Sequence, residues 1–428
     1  MIPELPVERQ IDPLYREFIQ SLDGRDFAGD IQHDYAARLT MATDNSAFQV
    51  LPEGVLFPRD GDDIARILTL AAEPRFHAVR LAPRGGGTST IGCSLTAGLV
   101  IDCSRHMNAI VEVDAEAGWV RVQPGVVLDQ LNDHLAGYGL FFAPNVAPSS
   151  RATLGGMANT DGCGKGSRVY GKTSDHVLET HLVLAGGTKW RAASCTRPEL
   201  DAIKNREDSA GHIHREVDAV VTEHRDEIAR VFPDLNRYLS GYNLAQIYDA
   251  SGERFNLNKL ICGSEGTLAL VAELKLRVLP LPRAKTLFAL RYDSFDDALR
   301  DAEKLVAFEP SAIESLDDKV MGLARENPIS TRVRDFIENA DGSTPDAVNL
   351  VEFAAGPDDE LDALTDPFRR YLAKNSDSRS TGFYHAEDTA AMAALWDLRK
   401  AGVGLLGSTP GDRKPLPFVE DTVVDPRV

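Results

Sequence analysis

The fold is decided by the segment AVRLAP at 78–83, which runs directly into RGGGTST at 84–90. AVRLAP has the composition of a strand, and before it come a shorter strand, VLFP at 55–58, and a helix whose apolar residues recur at helical spacing over 64–71. The glycines therefore follow the second strand of a strand–helix–strand unit. Ligands bind at the carboxyl ends of such strands, and glycine lets backbone N–H groups approach a phosphate closely. The segment predicts a phosphate-binding loop.

Two other interpretations of this loop stay open when it is taken alone. A dinucleotide-binding Rossmann loop would open a helix after its glycines, but residues 88–97 lack an apolar helical period and lead into a strand, GLVIDCS at 98–104. Asp102 follows the glycines at about the sequence distance at which a Rossmann fold places its ribose-binding acid. No helix lies between the glycines and Asp102, however, so the likeness to a Rossmann loop is superficial. A plain glycine turn is the other alternative.

Two further glycine clusters favour a ligand. ATLGGMANTDGCG occupies 152–164 and GSEGTL occupies 263–268, and each lies next to a predicted strand. Three loops that expose their backbone suit a long ligand with two phosphates in its middle and a ring system at each end.

A formal phosphate-loop match, GSRVYGKT at 166–173, satisfies the G-x-x-x-x-G-K-[ST] expression. A true phosphate loop joins a buried strand to a helix. Here the preceding GGMANTDGCGK cannot be a buried strand, and the following HVLETHLVLA suits a strand better than a helix. A nucleotide hydrolase is therefore the weakest hypothesis, and we expect Lys172→Ala to leave the cofactor chemistry mostly intact.

Composition narrows the class of protein. The 428 residues carry 46 Lys+Arg against 65 Asp+Glu, a net charge of -19 that repels a phosphate backbone, so we expect no nucleic acid partner. The sequence has no leader-like start and no run of about 18 apolar residues, so a cytoplasmic location without a transmembrane segment is expected. Five separated cysteines without C-x-x-C spacing predict reduced thiols and no metal site.

Patterning predicts an α+β protein in three parts. Residues 1–47 form an N-terminal arm, and 48–282 form a first domain that ends at a proline-rich boundary. Residues 283–428 alternate strands and helices, which predicts a separate sheet covered on one side by helices, with a variable loop over 317–348. The last residues, KPLPFVEDTVVDPRV, look like the opening of a further strand. We therefore expect the second domain to be incomplete at its C-terminus.

Taken together, the motifs resemble the flavoproteins of the vanillyl-alcohol oxidase and p-cresol methylhydroxylase (PCMH) superfamily, most closely the bacterial FAD-linked D-2-hydroxyglutarate and D-lactate dehydrogenase branch. The resemblance is carried by TMATDNSAFQVLPEGVLFPRD (40–60), PRGGGTST (83–90), APNVAPSSRATLGGMANTD (143–161), CGSEGTLALVAELKLRVLPLP (262–282) and WDLRKAGVGLLG (396–407). It implies an α+β fold in which a two-subdomain PCMH-type FAD-binding domain is followed by an α/β cap domain with an antiparallel sheet.

The resemblance also implies which residues contact FAD. They come from the three glycine clusters and are Pro83, Arg84, Gly85, Gly86, Gly87, Thr88, Ser89, Ser149, Thr153, Gly155, Gly156, Asn159, Thr160, Gly162, Gly263, Glu265, Gly266 and Thr267. Some relatives attach the flavin through a histidine of the pyrophosphate loop, and this loop has none. A tether at Cys163 is the less favoured alternative, so we expect dissociable FAD.

The chemistry that the resemblance implies is oxidation of a D-2-hydroxy acid to the 2-oxo acid by hydride transfer to flavin N5. D-2-hydroxyglutarate is the favoured substrate and D-lactate the next. In the relatives, an arginine of a W-x-x-R helix and a lysine further along contact the substrate. Arg399 in WDLRK and Lys414 in DRKPLPF match those positions, and arginine is the best carboxylate clamp. The electron acceptor is left open.

One departure from the relatives concerns the catalytic base. The relatives carry metal-binding and catalytic histidines and an E-H-G element after the segment that resembles KPLPFVEDT, and this sequence ends at Val428. The metal and the iron–sulfur cluster are therefore expected only outside these residues. The alternative hypothesis is a catalytically incomplete FAD-binding subunit that needs a C-terminal partner, and a homo-oligomer also stays open.

Overall fold

Three sheets of four or five strands organise the protein, and helices pack against each of them. The structure is a computed structural model that describes residues 10–233, 235, 237, 241–325, 330–339, 342–357, 359–374, 377–407 and 411. Two of the sheets form the two subdomains of the first domain, and the third belongs to the cap. The predicted α+β class is confirmed. Among the described residues, no helix has both the length and the apolar character that crossing a membrane requires.

The first subdomain contains a four-stranded sheet in the order β1-β2-β4-β3. Its elements are α1 (Pro13–Asp23), β1 (Asp30–Gln32), α2 (Tyr35–Thr40), β2 (Gly54–Phe57), α3 (Gly61–Ala71), β3 (Leu81–Arg84) and β4 (Leu99–Asp102). The Asp60 side chain accepts hydrogen bonds from the N–H groups of Asp62 and Asp63, which fixes the start of α3. Strands β2, β3 and β4 run parallel, so β3 delivers the first glycine cluster to the carboxyl edge of the sheet.

The predicted N-terminal arm is integrated into this subdomain. Phe18 and Leu22 of α1 are fully buried in the same core as Ile64 and Ile67 of α3. Strand β1 pairs with β2 in antiparallel register. Residues from 10 onward therefore complete the first sheet and its core.

The second subdomain is built on a five-stranded antiparallel sheet in the order β5-β6-β12-β8-β9. Helices α4 and α5 bury one face of that sheet in a core that includes Leu131, Leu154 and Leu274. The elements of this subdomain are β5 (Ile110–Asp114), β6 (Trp119–Val122), α4 (Leu128–Ala136), β7 (Leu140–Phe141), α5 (Leu154–Asn159), α6 (Ser167–Tyr170), α7 (Thr173–His176), β8 (Val177–Val183), β9 (Lys189–Ala193), β10 (Cys195–Thr196), α8 (Arg197–Lys204), α9 (Ser209–Glu223), α10 (Arg225–Val231), β11 (Arg254–Phe255), α11 (Asn258–Ile261), β12 (Leu270–Arg277) and β13 (Leu279–Pro280).

The cap contains a four-stranded antiparallel sheet in the order β15-β16-β14-β17. Its elements are β14 (Ala284–Tyr292), α12 (Phe295–Val306), β15 (Ala312–Leu316), α13 (Asp318–Arg325), α14 (Ser330–Ile337), β16 (Ala347–Ala355), α15 (Leu361–Lys374), β17 (Gly382–Ala386) and α16 (Thr389–Gly407). The segment KPLPFVEDTVVDPRV, predicted to open another strand, lies outside the described residues.

Two predictions about the cap are wrong. Helices cover both faces of its sheet, because Phe288 and Leu290 pack with α12 and α15 while Leu287 and Ala289 pack with α13, α14 and α16. The variable loop over 317–348 instead contains α13 and α14. The uninterrupted apolar run of β14 is typical of a strand buried on both faces. Strand β17 was also not predicted from the sequence.

Candidate cofactor and substrate site

A cavity of about 430 Å³ lies where the three glycine clusters meet. Its walls come from the loop after β3, from α5 and the loop that follows it, and from the loop before β12. Arg399 of the cap helix α16 lines the same cavity. The structure therefore brings the glycine clusters and the predicted carboxylate-binding arginine to one place.

Most of the predicted cofactor residues line this cavity. Those that do are Pro83, Arg84, Gly85, Gly86, Gly87, Thr88, Ser89, Thr153, Gly155, Gly156, Asn159, Thr160, Gly162, Gly263 and Glu265. Ser149, Gly266 and Thr267 do not line it. The Ser149 carbonyl accepts from the N–H of Asp129 at 3.2 Å, and the Thr267 hydroxyl donates to the Ser264 carbonyl at 2.6 Å. Lys414 lies outside the described residues.

The first glycine loop is held by residues before β2. The Arg84 guanidinium donates from Nη2 to the Thr43 carbonyl at 2.8 Å, and the Asn45 N–H donates to the Gly87 carbonyl at 3.0 Å. Burial lowers the pKa of Arg84 from its ordinary value. Gly87 has a φ of +60°, which favours glycine. The loop that follows β3 is thus fixed in place by the stretch that leads into the first sheet.

The glycines also let the loops touch each other. A Cβ atom on Gly86 would lie 2.0 Å from the Arg151 carbonyl oxygen, and one on Gly85 would lie 2.1 Å from the Thr153 hydroxyl oxygen. A Cβ atom on Gly266 would lie 2.4 Å from Pro83. Contacts this short leave no room for a side chain. The clusters therefore form one continuous backbone surface, although they are far apart in sequence.

Asn159, at the end of α5, joins the second and third clusters. Its side-chain nitrogen donates to the Gly155 carbonyl at 2.7 Å, and its side-chain oxygen accepts from the Gly266 N–H at 3.0 Å. Its own carbonyl accepts from the N–H of Glu265 at 2.8 Å. Glu265 has a φ of +52°, a left-handed conformation uncommon for this residue type. Asn159 thus fixes the third loop in the turn that lines the cavity.

The formal phosphate-loop match has a structural role. Lys172 is almost completely buried, and its Nζ lies 2.7 Å from Asp161 Oδ2. Thr173 donates to the Gly162 carbonyl at 2.6 Å, and Ser174 donates from its N–H to Asp161 at 2.8 Å. Helix α5, rather than a strand, precedes the stretch. The GKTS stretch therefore fastens the second glycine cluster, and the expectation that Lys172→Ala leaves the cofactor chemistry mostly intact is revised.

We expect Lys172→Met to destabilise the fold strongly. Removing one partner of a buried ion pair leaves an uncompensated charge, here on Asp161, at a cost of about 3–5 kcal/mol. The free energy of unfolding in urea measures this loss. Lys189→Met is the matched control, because the Lys189–Asp62 pair is more than half exposed and such pairs contribute up to about 1 kcal/mol. Equal losses in the two variants would contradict the structural role of Lys172.

Arg399 reaches the cavity from α16 and is oriented by the cap. Its Nε donates to Glu314 Oε2 of β15 at 2.9 Å, and about a quarter of its side chain is exposed. A guanidinium held at Nε keeps its two terminal nitrogens for a planar, bidentate partner. The arrangement can therefore bind a carboxylate at the cap side of the cavity.

Several residues that line the cavity were not predicted as site residues, because they lie outside the glycine motifs. Ala269, Leu270 and Val271 give the cavity an apolar side next to the third cluster. The strand next to the third cluster was predicted, but not which end of it would meet a ligand. Asn243 lies in a segment that carried no motif. Across the described residues, no group of three or more His, Cys, Asp or Glu side chains is placed to hold a metal ion.

The wall fits a cofactor that carries phosphates. Within the described part of the chain, nine glycines line the cavity, so that backbone rather than Cβ atoms faces the space. Hydroxyl donors stand among them at Thr88, Ser89 and Thr160. Backbone N–H groups and hydroxyls are the donors that a pyrophosphate requires, and the apolar side suits a planar ring. Fold and site together define a class of proteins that hold a nucleotide cofactor between two α+β subdomains beneath a cap.

Comparison with known families identifies the cofactor. Residues 52–193 match a family model described as "FAD binding domain", and residues 281–428 match one described as "FAD linked oxidases, C-terminal domain". The chain therefore belongs to the PCMH-type family of FAD-linked oxidases, and its cofactor domain is an FAD-binding domain.

Individual relatives agree with that family. The chain is 46% identical over 413 residues to a D-2-hydroxyglutarate dehydrogenase of Pseudomonas putida, covering 96% of this chain and 41% of the relative. It is 40% identical over 430 residues to the D-2-hydroxyglutarate dehydrogenase of Escherichia coli, covering 100% of this chain and 42% of the relative. The chain thus spans less than half the length of these relatives. A more distant relative, glycolate oxidase subunit GlcD of Bacillus subtilis, is 27% identical, covering 91% of this chain and 68% of the relative.

A solved structure shows the same fold. Alkyldihydroxyacetonephosphate synthase superimposes with a TM-score of 0.65 at 18% identity, covering 95% of this chain and 67% of the other. Identity this low bears on architecture alone. The predicted FAD-binding domain followed by a cap is confirmed at the level of fold.

Proposed function

We propose that this chain is the FAD-holding and substrate-binding part of a dehydrogenase that oxidises a D-2-hydroxy acid to its 2-oxo acid. The observation that carries the proposal is the shared cavity, in which the glycine-lined wall and the Arg399 side chain face the same space. A cofactor cradle and a carboxylate clamp in one cavity are what such an oxidation needs.

The relatives favour one substrate. Four relatives that are 39–46% identical and aligned over at least 96% of this chain are named D-2-hydroxyglutarate dehydrogenase. Relatives named for glycolate or D-lactate are 24–27% identical. D-2-hydroxyglutarate is therefore our proposed substrate, with D-lactate second.

The side chains divide the work between cofactor and substrate. When bound, FAD would supply the acceptor for the hydride that leaves the carbon bearing the substrate hydroxyl, while the hydroxyl proton passes to a base. The glycine clusters would hold the FAD pyrophosphate, with Arg84, Thr88 and Ser89 among its predicted contacts. Arg399 binds the substrate carboxylate and fixes its orientation, and Lys414 is proposed as a second cation there. Because Asp161 is engaged by Lys172, we do not assign it to proton transfer. The metal and the iron–sulfur cluster of the resembled branch are proposed to lie outside these 428 residues.

A steady-state comparison of substrates tests the proposed reaction. With a dye as electron acceptor, we expect D-2-hydroxyglutarate to give the highest kcat/KM, D-lactate a lower one, and L-2-hydroxyglutarate almost none. Preference for D-lactate would overturn the substrate. FAD binding without any turnover would instead favour the alternative, an FAD-binding subunit that needs a partner.

We expect the FAD to be released by acid precipitation. None of the described residues that line the cavity is a histidine. Burial raises the pKa of the Cys93 thiol, and it raises the pKa of Cys103 to about 12. A protonated thiol is a poor nucleophile, so these cysteines are unsuited to a covalent tether. Yellow flavin that stays with the precipitated polypeptide would contradict a dissociable cofactor, and Cys163→Ala would then show whether Cys163 is the tether.

A further inference from the structure

We propose that Glu352 is a positioning residue that locks the substrate helix α16, and with it Arg399, to the FAD-binding domain through Lys165. The inference rests on the proposed function, because it assigns Arg399 to the substrate carboxylate. It adds Glu352 and Lys165, which no glycine cluster or substrate motif contains.

Glu352 holds two elements at once. Glu352 lies on β16, an inner strand of the cap sheet, and is only 5% exposed. Lys165 Nζ donates to both of its carboxylate oxygens, at 3.2 and 3.0 Å. Trp396 Nε1 donates to Oε2 at 3.0 Å. One buried carboxylate therefore connects a residue of the FAD-binding domain to the helix that carries Arg399.

Lys165 begins at the wall of the cofactor cavity. The two residues before it, Cys163 and Gly164, line that cavity. Its Nζ also lies 4.1 Å from the centre of the Trp396 ring, a cation–π distance. Burial lowers the pKa of Lys165, and the nearby Glu352 opposes that shift. Lysine, glutamate and tryptophan thus form a closed triad across the boundary between the domains.

The triad lies one helical turn from the substrate residue. Trp396 and Arg399 are three positions apart on α16, so their side chains lie on neighbouring parts of one face. A second contact supports the same boundary, because Arg168 Nη2 donates to the Pro310 carbonyl at 2.7 Å. A shift of α16 would therefore move Arg399 relative to the flavin cradle.

Such a triad specifies geometry more than it adds stability. A buried ion pair contributes little net free energy compared with apolar packing, whereas a fully bonded polar network favours one arrangement over others. A displacement of about 1 Å in a group that orients substrate is enough to weaken binding strongly. We therefore expect loss of the triad to affect substrate binding before it affects FAD binding.

Glu352→Gln, Lys165→Met and the double variant test the triad in the FAD-loaded protein. For each we expect the KM for D-2-hydroxyglutarate to rise about tenfold, in line with the loss of a charge-assisted hydrogen bond, with kcat changed less than about threefold and FAD content unchanged. The double variant should resemble the singles, because both members belong to one network. Backbone amides of α16 should exchange hydrogen faster. The double variant leaves no unpaired charge, so it keeps the test informative if a single variant folds poorly.

Asp397→Asn is the matched control. Asp397 is adjacent to Trp396 on α16, and its ion pair with Arg332 is about half exposed. We expect unchanged KM and unchanged hydrogen exchange in this variant. Unchanged KM together with unchanged α16 exchange in all three triad variants would overturn the proposal. If the unmodified protein oxidises no 2-hydroxy acid, the proposed function fails, but faster α16 exchange in Glu352→Gln relative to Asp397→Asn would still support the lock.

Discussion

Gly86→Val is expected to abolish FAD binding. The new side chain would begin 2.0 Å from the Arg151 carbonyl oxygen, so it must push the second glycine cluster away from the first. Overpacking of this kind costs about 1–3 kcal/mol in stability even where the structure adapts, and here the displaced backbone is the cradle itself. We expect flavin occupancy, measured by absorbance after reconstitution with FAD, to fall below about one tenth of the unmodified level.

The control for this variant is Gly322→Val. Gly322 lies on α13 in the cap, and a Cβ atom there would have no neighbour within 4 Å. FAD occupancy should stay at the unmodified level. Full occupancy in Gly86→Val would show that the clusters do not form the cofactor wall. Because the new side chain meets the Arg151 carbonyl oxygen, the variant tests the packing between the first two clusters as well as the space for the pyrophosphate.

Arg399→Met is expected to lower kcat/KM for D-2-hydroxyglutarate about 100-fold while leaving FAD bound. Truncating one partner of a charged, hydrogen-bonded pair at a binding site costs about 2–5 kcal/mol, and methionine keeps much of the apolar stem. Because the clamp holds the carboxylate before and during the reaction, most of the loss should appear in KM. Arg399→Lys should recover only part of it, since lysine cannot make the bidentate contact.

Lys400→Met separates a specific role from a general loss of positive charge. Lys400 is the next residue on α16, and it is exposed. The kcat/KM of the Lys400→Met variant should match that of the unmodified protein. Equal effects in the two variants, or no effect in Arg399→Met, would contradict the assignment of Arg399 to the substrate carboxylate.

Strands β2, β3 and β4 could be predicted from sequence because their patterns are local. Apolar runs at 55–58 and 98–104 correspond to β2 and β4, and the residues before the first glycine cluster contain β3. The helix at α3 was evident from its acidic start and its apolar spacing. Such elements are decided by neighbours in the chain, so a single sequence contains enough information to place them.

The contacts that assemble the site could not be predicted from pattern. Asn159 accepts from Gly266, 107 residues away, and Lys165 pairs with Glu352, 187 residues away. No spacing rule connects such residues. The three glycine clusters suggested one long ligand, and the resemblance to a family implied which residues would contact it. Lys172 shows the converse case, because a local motif matched a phosphate loop while the structure uses the lysine in a buried ion pair.

The cap was predicted less well than the cofactor domain. Helices α13 and α14 are only eight residues long each, too short to be stable alone, and their burial depends on the far face of the cap sheet. Val333 and Met321 become buried only because β14 presents Leu287 and Ala289 to them. Tertiary packing rather than local propensity decided these helices.

The most direct test of the proposed function is an anaerobic absorbance spectrum of the purified, FAD-loaded 428-residue chain, recorded before and after addition of D-2-hydroxyglutarate. We expect the oxidised flavin band to bleach on addition of the D-acid and to stay unchanged on addition of the L-acid. A flavin band that persists with the D-acid would contradict oxidation of D-2-hydroxyglutarate by this chain and would favour the alternative, an FAD-binding subunit that needs a partner.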